Sequence, residues 1–494
     1  MFKNIAVQQI IDGYRPIWAL NHAMGLFEWD IETFMPLDGA KSRGFAQAQL
    51  SLMRQQRFLN MTEIVSKTAM LSDLSDYEKG IVRIIKRDLD YYTKVPPELI
   101  EDLQRTATEA TVIWREARRK SDFALFKPYL EKIITLKRKE AEKLGYEGHP
   151  YNALLDIHEE NLTTSDVDKV FARLLPNLKK ILGKVQSSGS FPSTHKLEGI
   201  SYDEEAMKSV NMEVLQILGM PDKTFRMDVS THPFTTGLSL DDVRITTRYE
   251  GKSFRDTIFS AIHESGHALY DLQMDHGLEY TPLVGGTANY AIHESQSRFW
   301  ENFVGRSREF TKLLYPALRK NLDFMSQFSE EEVYKYFNLV KPSLIRVEAD
   351  EVTYNFHIVV RYELEKKLLS GEAAVSEVPV IWDDLMEQYL GVRPKNLAEG
   401  ALQDVHWSQG MLGYFPTYSL GNVIAGMVYS RLGHDMNIQD TLRHRDVARI
   451  KSWLKEHIHR WGSTYSPKDL QQKVFGELYN SDHLVKYLEE KYLA

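Results

Sequence analysis

His263-Glu264-Ser265-Gly266-His267 combines the residue types of a metal site with a base set beside it. Histidines four apart stand one above the other on a helix, so two imidazoles can reach one zinc-sized ion. The glutamate next to the first histidine is then placed to take a proton from water that the ion activates. An ordinary helix carrying two surface histidines would give the same letters, so the surroundings decide. Asp271 follows His267 by four residues on the same face. It either orients an imidazole, since metal-bound histidines usually donate their other N–H to an acceptor, or is a solvated helix acid.

The element that must carry these residues reads as a helix. Ile258, Ala261, Ile262, Leu269 and Leu272 give an apolar stripe, no proline interrupts Phe254 to Met274, and Ser253 is the expected N-cap. A water-activating zinc has three protein ligands and one open position. The slot six residues beyond His267 holds Gln273, so the third ligand comes from elsewhere. A loop over 277–290, marked by Pro282, Gly285 and Gly286, leads to a second helical stretch with Glu294 as the expected ligand. His293 is its competitor, but adjacent helical residues diverge by about 100°, so one of the two faces the metal, and a carboxylate fits better.

Beyond these residues the chain resembles the carboxypeptidase Taq family of metallocarboxypeptidases. The resemblance runs through His232-Pro233-Phe234, then Asp242-Val243-Arg244-Ile245-Thr246, the metal helix and the Glu294 segment. It continues in Ile345-Arg346-Val347-Glu348-Ala349-Asp350 and in Gly400-Ala401-Leu402-Gln403-Asp404-Val405-His406-Trp407. What it implies is a mainly α fold with a deep substrate cleft, broad removal of C-terminal amino acids from peptides, and a homodimer. Zinc is the ion the ligand set points to, one per chain, and the resemblance also allows cobalt.

The remaining roles follow from the chemistry. A tetrahedral intermediate needs a donor for its oxyanion besides the metal. His406 and Tyr418 are favoured by analogy with related helical zinc peptidases, with Tyr414 next; a buried tyrosine that merely closes a hydrogen bond is the alternative. An exopeptidase must read a free carboxylate, and arginine's planar fork matches one. Arg346, in a family block, is the first choice, and its alternative is a salt bridge to Glu348 or Asp350. Arg244 and Arg298 are lesser candidates, and Arg298 alternatively pins the Glu294 helix. His232 lines the cleft or caps a turn. A zinc oligopeptidase cutting internal bonds would share this core. A non-catalytic metal-bound binding protein would have no use for Glu264.

Composition sets bounds on all of this. The 494 residues are 43% hydrophobic and 26% charged, ample for a large core, and could form one catalytic domain over 1–494. Serine, glycine and Pro192 in Ser187 to Gly199 mark the clearest linker, dividing a helical half, 1–186, from a metal-bearing half, 200–494. A net charge of −8 disfavours general nucleic-acid binding. There is no membrane-length apolar run or signal-peptide core, and no cysteine, so a cytoplasmic protein without thiolate ligands is expected.

Helical periodicity dominates elsewhere. It predicts a first helix through Ile5 to Trp18, another from Leu20 to Phe34, and others from Pro97 to Arg119, Phe126 to Leu144 and Asp166 to Val185. Alternation over Asp242 to Tyr249 predicts the one clear strand, part of a small sheet whose edge flanks the cleft. Arg244 and Thr246 face that cleft or only tie the sheet together.

Overall fold

The computed structural model describes residues 1–285 and 288–493; Gly286 of the expected loop lies outside them. Helix accounts for 68% of the chain, with one three-stranded sheet. The chain forms two compact units, each drawing on segments from both sides of 187–199. The first comprises Met1–Tyr92, Thr194–Phe337 and Val428–Leu478. The second comprises Thr93–Ser193, Asn338–Met427 and Tyr479–Ala494. Among the described residues no helix is long and apolar enough to cross a membrane.

In the first unit, the expected pair of N-terminal helices is one continuous helix, Ile5–Thr33, with Pro16 inside it. Proline removes a single backbone donor, and Asn4 caps the start by accepting from Ala6 N and Val7 N. Ala19, between Trp18 and Leu20, is a strong helix former, and the element runs on. Its apolar face, Val7, Ile10, Ile11, Tyr14 and Ile17, packs with Ile81, Ile84, Ile85 and Leu89 in a buried cluster.

The sheet holds three strands, β1 (Phe225–Val229), β2 (Thr235–Ser239) and β3 (Asp242–Thr247), in the order β1-β3-β2. β3 is parallel to β1 and antiparallel to β2. The strand read from the sequence is therefore the centre of the sheet, and β2 is the edge toward the metal helix. Val243 and Ile245 of β3 pack with Ala268 and Leu215, joining one face of the sheet to the helix Phe254–Leu272. That helix spans the expected stretch, and Phe254, Ile258, Ala261, Ile262 and Leu269 are buried as its stripe requires. Ser253 makes no side-chain cap bond; its φ of 58° turns the chain into the helix instead.

The second unit is helical. Pro97–Lys120 starts on a proline, Phe123–Leu144 on the cap Asp122, and Thr164–Ser188 on a capping box between Thr163 and Asp166. The last of these ends at Gly189 and takes the first two residues of the expected linker into its final turn.

Candidate metal centre and the residues around it

The helix Phe254–Leu272 projects His263 and His267 side by side, and the helix Tyr290–Arg298 brings Glu294 against them. One ligand atom from each lies within 4.8 Å of the others. Glu294 Oε2 stands 3.6 Å from His263 Nε2 and 3.4 Å from His267 Nε2. Ligands about 2.1 Å from a tetrahedral zinc are separated by roughly 3.4 Å, so these residues fit one ion. Both Nδ1 atoms are engaged elsewhere, His263 with Glu301 and His267 with His293. This leaves the Nε2 atoms to converge.

The two helices can approach because Gly266 lies between them. A Cβ there would stand 2.6 Å from Ser297 Cα and 2.7 Å from Gln296 O, both backbone. Gly266→Ala is therefore expected to push the Glu294 helix away, costing about 1–3 kcal/mol as overpacking does and weakening metal binding with it. Urea unfolding of the metal-free protein and metal titration read the two effects. Parental values in both would mean the helices are free to separate without loss.

Electrostatics favour an ionised Glu294. Burial opposes its charge, but Arg298, His263 and His267 outweigh burial and hold the carboxyl well below its usual range. Arg298 donates from Nε to Glu294 Oε1 at 2.7 Å and from Nη1 to Glu301 Oε2 at 3.2 Å. Both contacts tie Arg298 to the segment that carries Glu294. Burial lowers the pKa of His267, whereas at His263 Glu294 and Glu301 overcome burial and raise it.

Glu264 is buried beside these groups and is not one of the converging ligands. Its Oε2 accepts from Thr235 Oγ1 of β2 at 2.6 Å. Of the two readings of Asp271, the structure shows it against an imidazole, that of His293, whose Nε2 lies 3.2 Å away and whose Nδ1 meets His267 Nδ1. β2 also comes close to this helix: a Cβ at Gly237 would lie 2.7 Å from Asp271 Oδ2, so a larger residue there would have to displace that carboxylate.

The remaining expected residues divide between the units. Arg244 pairs with Asp242, its guanidinium lying over Trp29. The strand alternates, so Arg244 points away from the face that Val243 and Ile245 pack on the metal helix. Thr246 is buried and bonds to Ser230 Oγ and Phe234 N, tying the sheet together. His232 is exposed, and its carbonyl accepts from Ser230 Oγ to close the turn.

In the second unit Arg346, His406, Tyr414 and Tyr418 form one cluster. His406 Nε2 lies 3.1 Å from Tyr418 Oη, and the Tyr414 and Tyr418 rings meet edge to face at 5.2 Å. The Arg346 guanidinium stands over the Tyr418 ring at 4.9 Å. Its ion pair is with Asp404, Nε to Oδ1 at 2.9 Å, rather than with Glu348 or Asp350. Asp350 instead accepts from the backbone of Lys341, Val352 and Thr353. Arg361 shares Asp404 through Nε at 2.7 Å and through Nη2, and also donates to His357 O and Gln403 Oε1. Burial favours neutral Asp404, but Arg361 and Arg346 outweigh it and keep it ionised. Two guanidiniums against one carboxylate leave a surplus positive charge.

Burial, with Arg346 nearby, lowers the His406 pKa to about 3, so this ring works as a neutral hydrogen-bonding group. A folded-state value below the unfolded one means stability that is present above pH 6.5 and lost as pH falls toward 3. Against His406→Gln, which does not titrate, the parent should lose about 2 kcal/mol between pH 6.5 and pH 5. Urea unfolding of both proteins at the two pH values checks this, and a constant difference would contradict it.

Reasoning from sequence missed Thr235, Glu301 and Arg361. Glu301 carried a signal, lying two helical turns beyond Glu294 on the same face. Asp404 stood in a quoted block without a role.

Comparison with known proteins places these features in a wider set. The carboxypeptidase Taq (M32) metallopeptidase family matches residues 9–492. Thermostable carboxypeptidase 1 of Pyrococcus furiosus is 46% identical over 497 residues, covering 100% of this chain and 99% of that one. Carboxypeptidase 1 of Bacillus subtilis is 37% identical over 490 residues, covering 98% and 97%. The solved M32 carboxypeptidase of Deinococcus radiodurans superposes with a TM-score of 0.94 at 32% identity over 99% of each chain.

Proposed function

The chain belongs to the carboxypeptidase Taq (M32) family and is a metal-dependent carboxypeptidase, and we propose the following division of labour among its residues. His263, His267 and Glu294 hold one divalent ion, zinc by the chemistry of the set, with cobalt accepting the same ligands. When bound, the ion supplies Lewis acidity toward the scissile carbonyl and toward water. Glu264 takes the proton from the attacking water and passes it to the leaving amine. His406 and Tyr418, with Tyr414 beside them, donate to the developing oxyanion. The spacing of Nε2, Nε2 and Oε2 beside a carboxylate that is not a ligand is the observation that carries this reading.

Arg346 reads the free carboxylate of the substrate. The surplus charge it shares with Arg361 over Asp404 supports this, because a second anion completes the cluster. The substrates are peptides with a free C-terminus, taken with broad side-chain tolerance, and 1–494 works as one catalytic domain. The edge strand β2, whose Thr235 touches Glu264, is the part of the sheet suited to lie along a substrate backbone. The enzyme acts in the cytoplasm as a homodimer.

Peptide pairs that differ only in a C-terminal amide test the specificity. Amidation should abolish cleavage, since losing a charge-assisted pair in a desolvated site costs roughly 2–5 kcal/mol. Arg346→Ala should cut activity on the free acid by a comparable factor, retain metal, and narrow the gap between acid and amide. Internal fragments from the amidated peptide, at a rate near that of the acid, would favour an oligopeptidase and leave the metal reading intact.

A further inference from the structure

Hydrogen bonds lead away from both histidines of the metal centre, and the two chains of contact differ in kind. His263 Nδ1 meets a carboxylate, Glu301 Oε2, at 2.9 Å. Glu301 is buried and lies in a π-helical segment, Phe299–Gly305, that continues the Glu294 helix. Wide turns of this sort recur at functional sites. Its carboxylate also accepts from Arg298 Nη1 at 3.2 Å and from Arg306 Nη2 at 3.0 Å. Arg306 is fixed in turn, with Nη1 on Phe337 O at 2.7 Å and its guanidinium 3.9 Å from the centre of the Phe259 ring.

His267 Nδ1 meets another imidazole instead, His293 Nδ1. Two facing ring nitrogens need one donor and one acceptor. With Nε2 of His267 kept unprotonated for a metal, its Nδ1 must donate and His293 Nδ1 must accept. His293 Nε2–H is then left to donate to Asp271 Oδ1, 3.2 Å away. On the other side, an Nδ1–H donated to Glu301 leaves His263 Nε2 unprotonated as well. Both contacts select the same tautomer, but a bond to an ionised carboxylate is roughly twice as strong as one between neutral groups.

We propose that Glu301 is the positioning residue that fixes the ring and tautomer of His263, that the His293–Asp271 pair does so more weakly for His267, and that the two histidines therefore hold the ion unequally. This rests on reading His263, His267 and Glu294 as the ligands. The competing account makes Glu301 only a counter-ion for Arg298 and Arg306. That account predicts lost stability and an unchanged metal centre.

The test uses the full chain, stripped of metal and reloaded with cobalt(II), whose visible absorption reports ligand geometry. Glu301→Gln should weaken cobalt binding about 10–100-fold in competition with a chelator and should alter the absorption bands. His293→Ala should weaken binding by the lower part of that range or less. Because Glu301→Gln leaves two arginines under-compensated, it is paired with Glu301→Gln/Arg306→Met, which removes one charge of each sign. The double variant should recover metal-free stability and keep both the weak binding and the altered spectrum. A parental spectrum and parental competition in the double variant would overturn the proposal. Failure of the ligand reading itself looks different: Glu294→Ala would then bind cobalt as the parent does.

Discussion

Glu264→Gln is expected to retain its metal and lose nearly all turnover. Glutamine keeps the volume of the side chain and an oxygen to accept from Thr235 Oγ1, so the local packing survives. Glu264 is not among the three converging ligands, so metal content should match the parent's. What disappears is a basic oxygen able to accept the proton of the attacking water. General-base roles are worth on the order of a hundredfold or more, and here the same group must also deliver the proton to the amine. Metal analysis and kcat on a free-ended peptide, measured on one preparation, decide it. A variant that holds metal and cleaves at the parental rate would mean that another group is the base.

Features written in short-range spacing were legible in the sequence, and those that depend on a distant partner were not. His263 and His267 are four apart on one helix, and the choice of Glu294 over His293 needed only the angle between adjacent helical residues and the better fit of a carboxylate as third ligand. The structure brings these three together and turns His293 to the far side of His267. β3 alternates clearly because Val243 and Ile245 pack on the metal helix while Arg244 between them points the other way. β2 reads Thr-Thr-Gly-Leu-Ser and has no such pattern; its strand geometry comes from pairing with β3. Thr235 was invisible for the same reason. Glu301 lay two helical turns beyond Glu294, but its partner, His263 on another helix, is set by the fold. Ser253 looked like a cap by residue type, yet the abrupt entry from the sheet gives it a positive φ and no cap bond. The break expected near Trp18 failed because one internal proline removes one donor, which a 29-residue helix tolerates.

Removing Glu294 should release the metal far faster than removing any other single carboxylate around it. Glu294→Ala takes away one of three protein ligands and the only anionic one, leaving two imidazoles on one helix to hold the ion. The loss should exceed the roughly 10–100-fold that outer partners of a metal site are worth. His293→Ala removes only the acceptor facing His267 Nδ1, so its retention should stay much nearer the parent's. Arg298 complicates Glu294→Ala, because its Nε loses the partner it holds at 2.7 Å. Glu294→Gln serves as the control: it keeps the shape and an acceptor for Arg298 while giving up the charge, and should also bind metal more weakly than the parent. Dialysis against a mild chelator, followed by metal analysis over time, ranks the four proteins. Equal retention in Glu294→Ala and the parent would move the third ligand elsewhere. Release from His293→Ala as fast as from Glu294→Ala would make the imidazole, and not the carboxylate, the residue that closes the site.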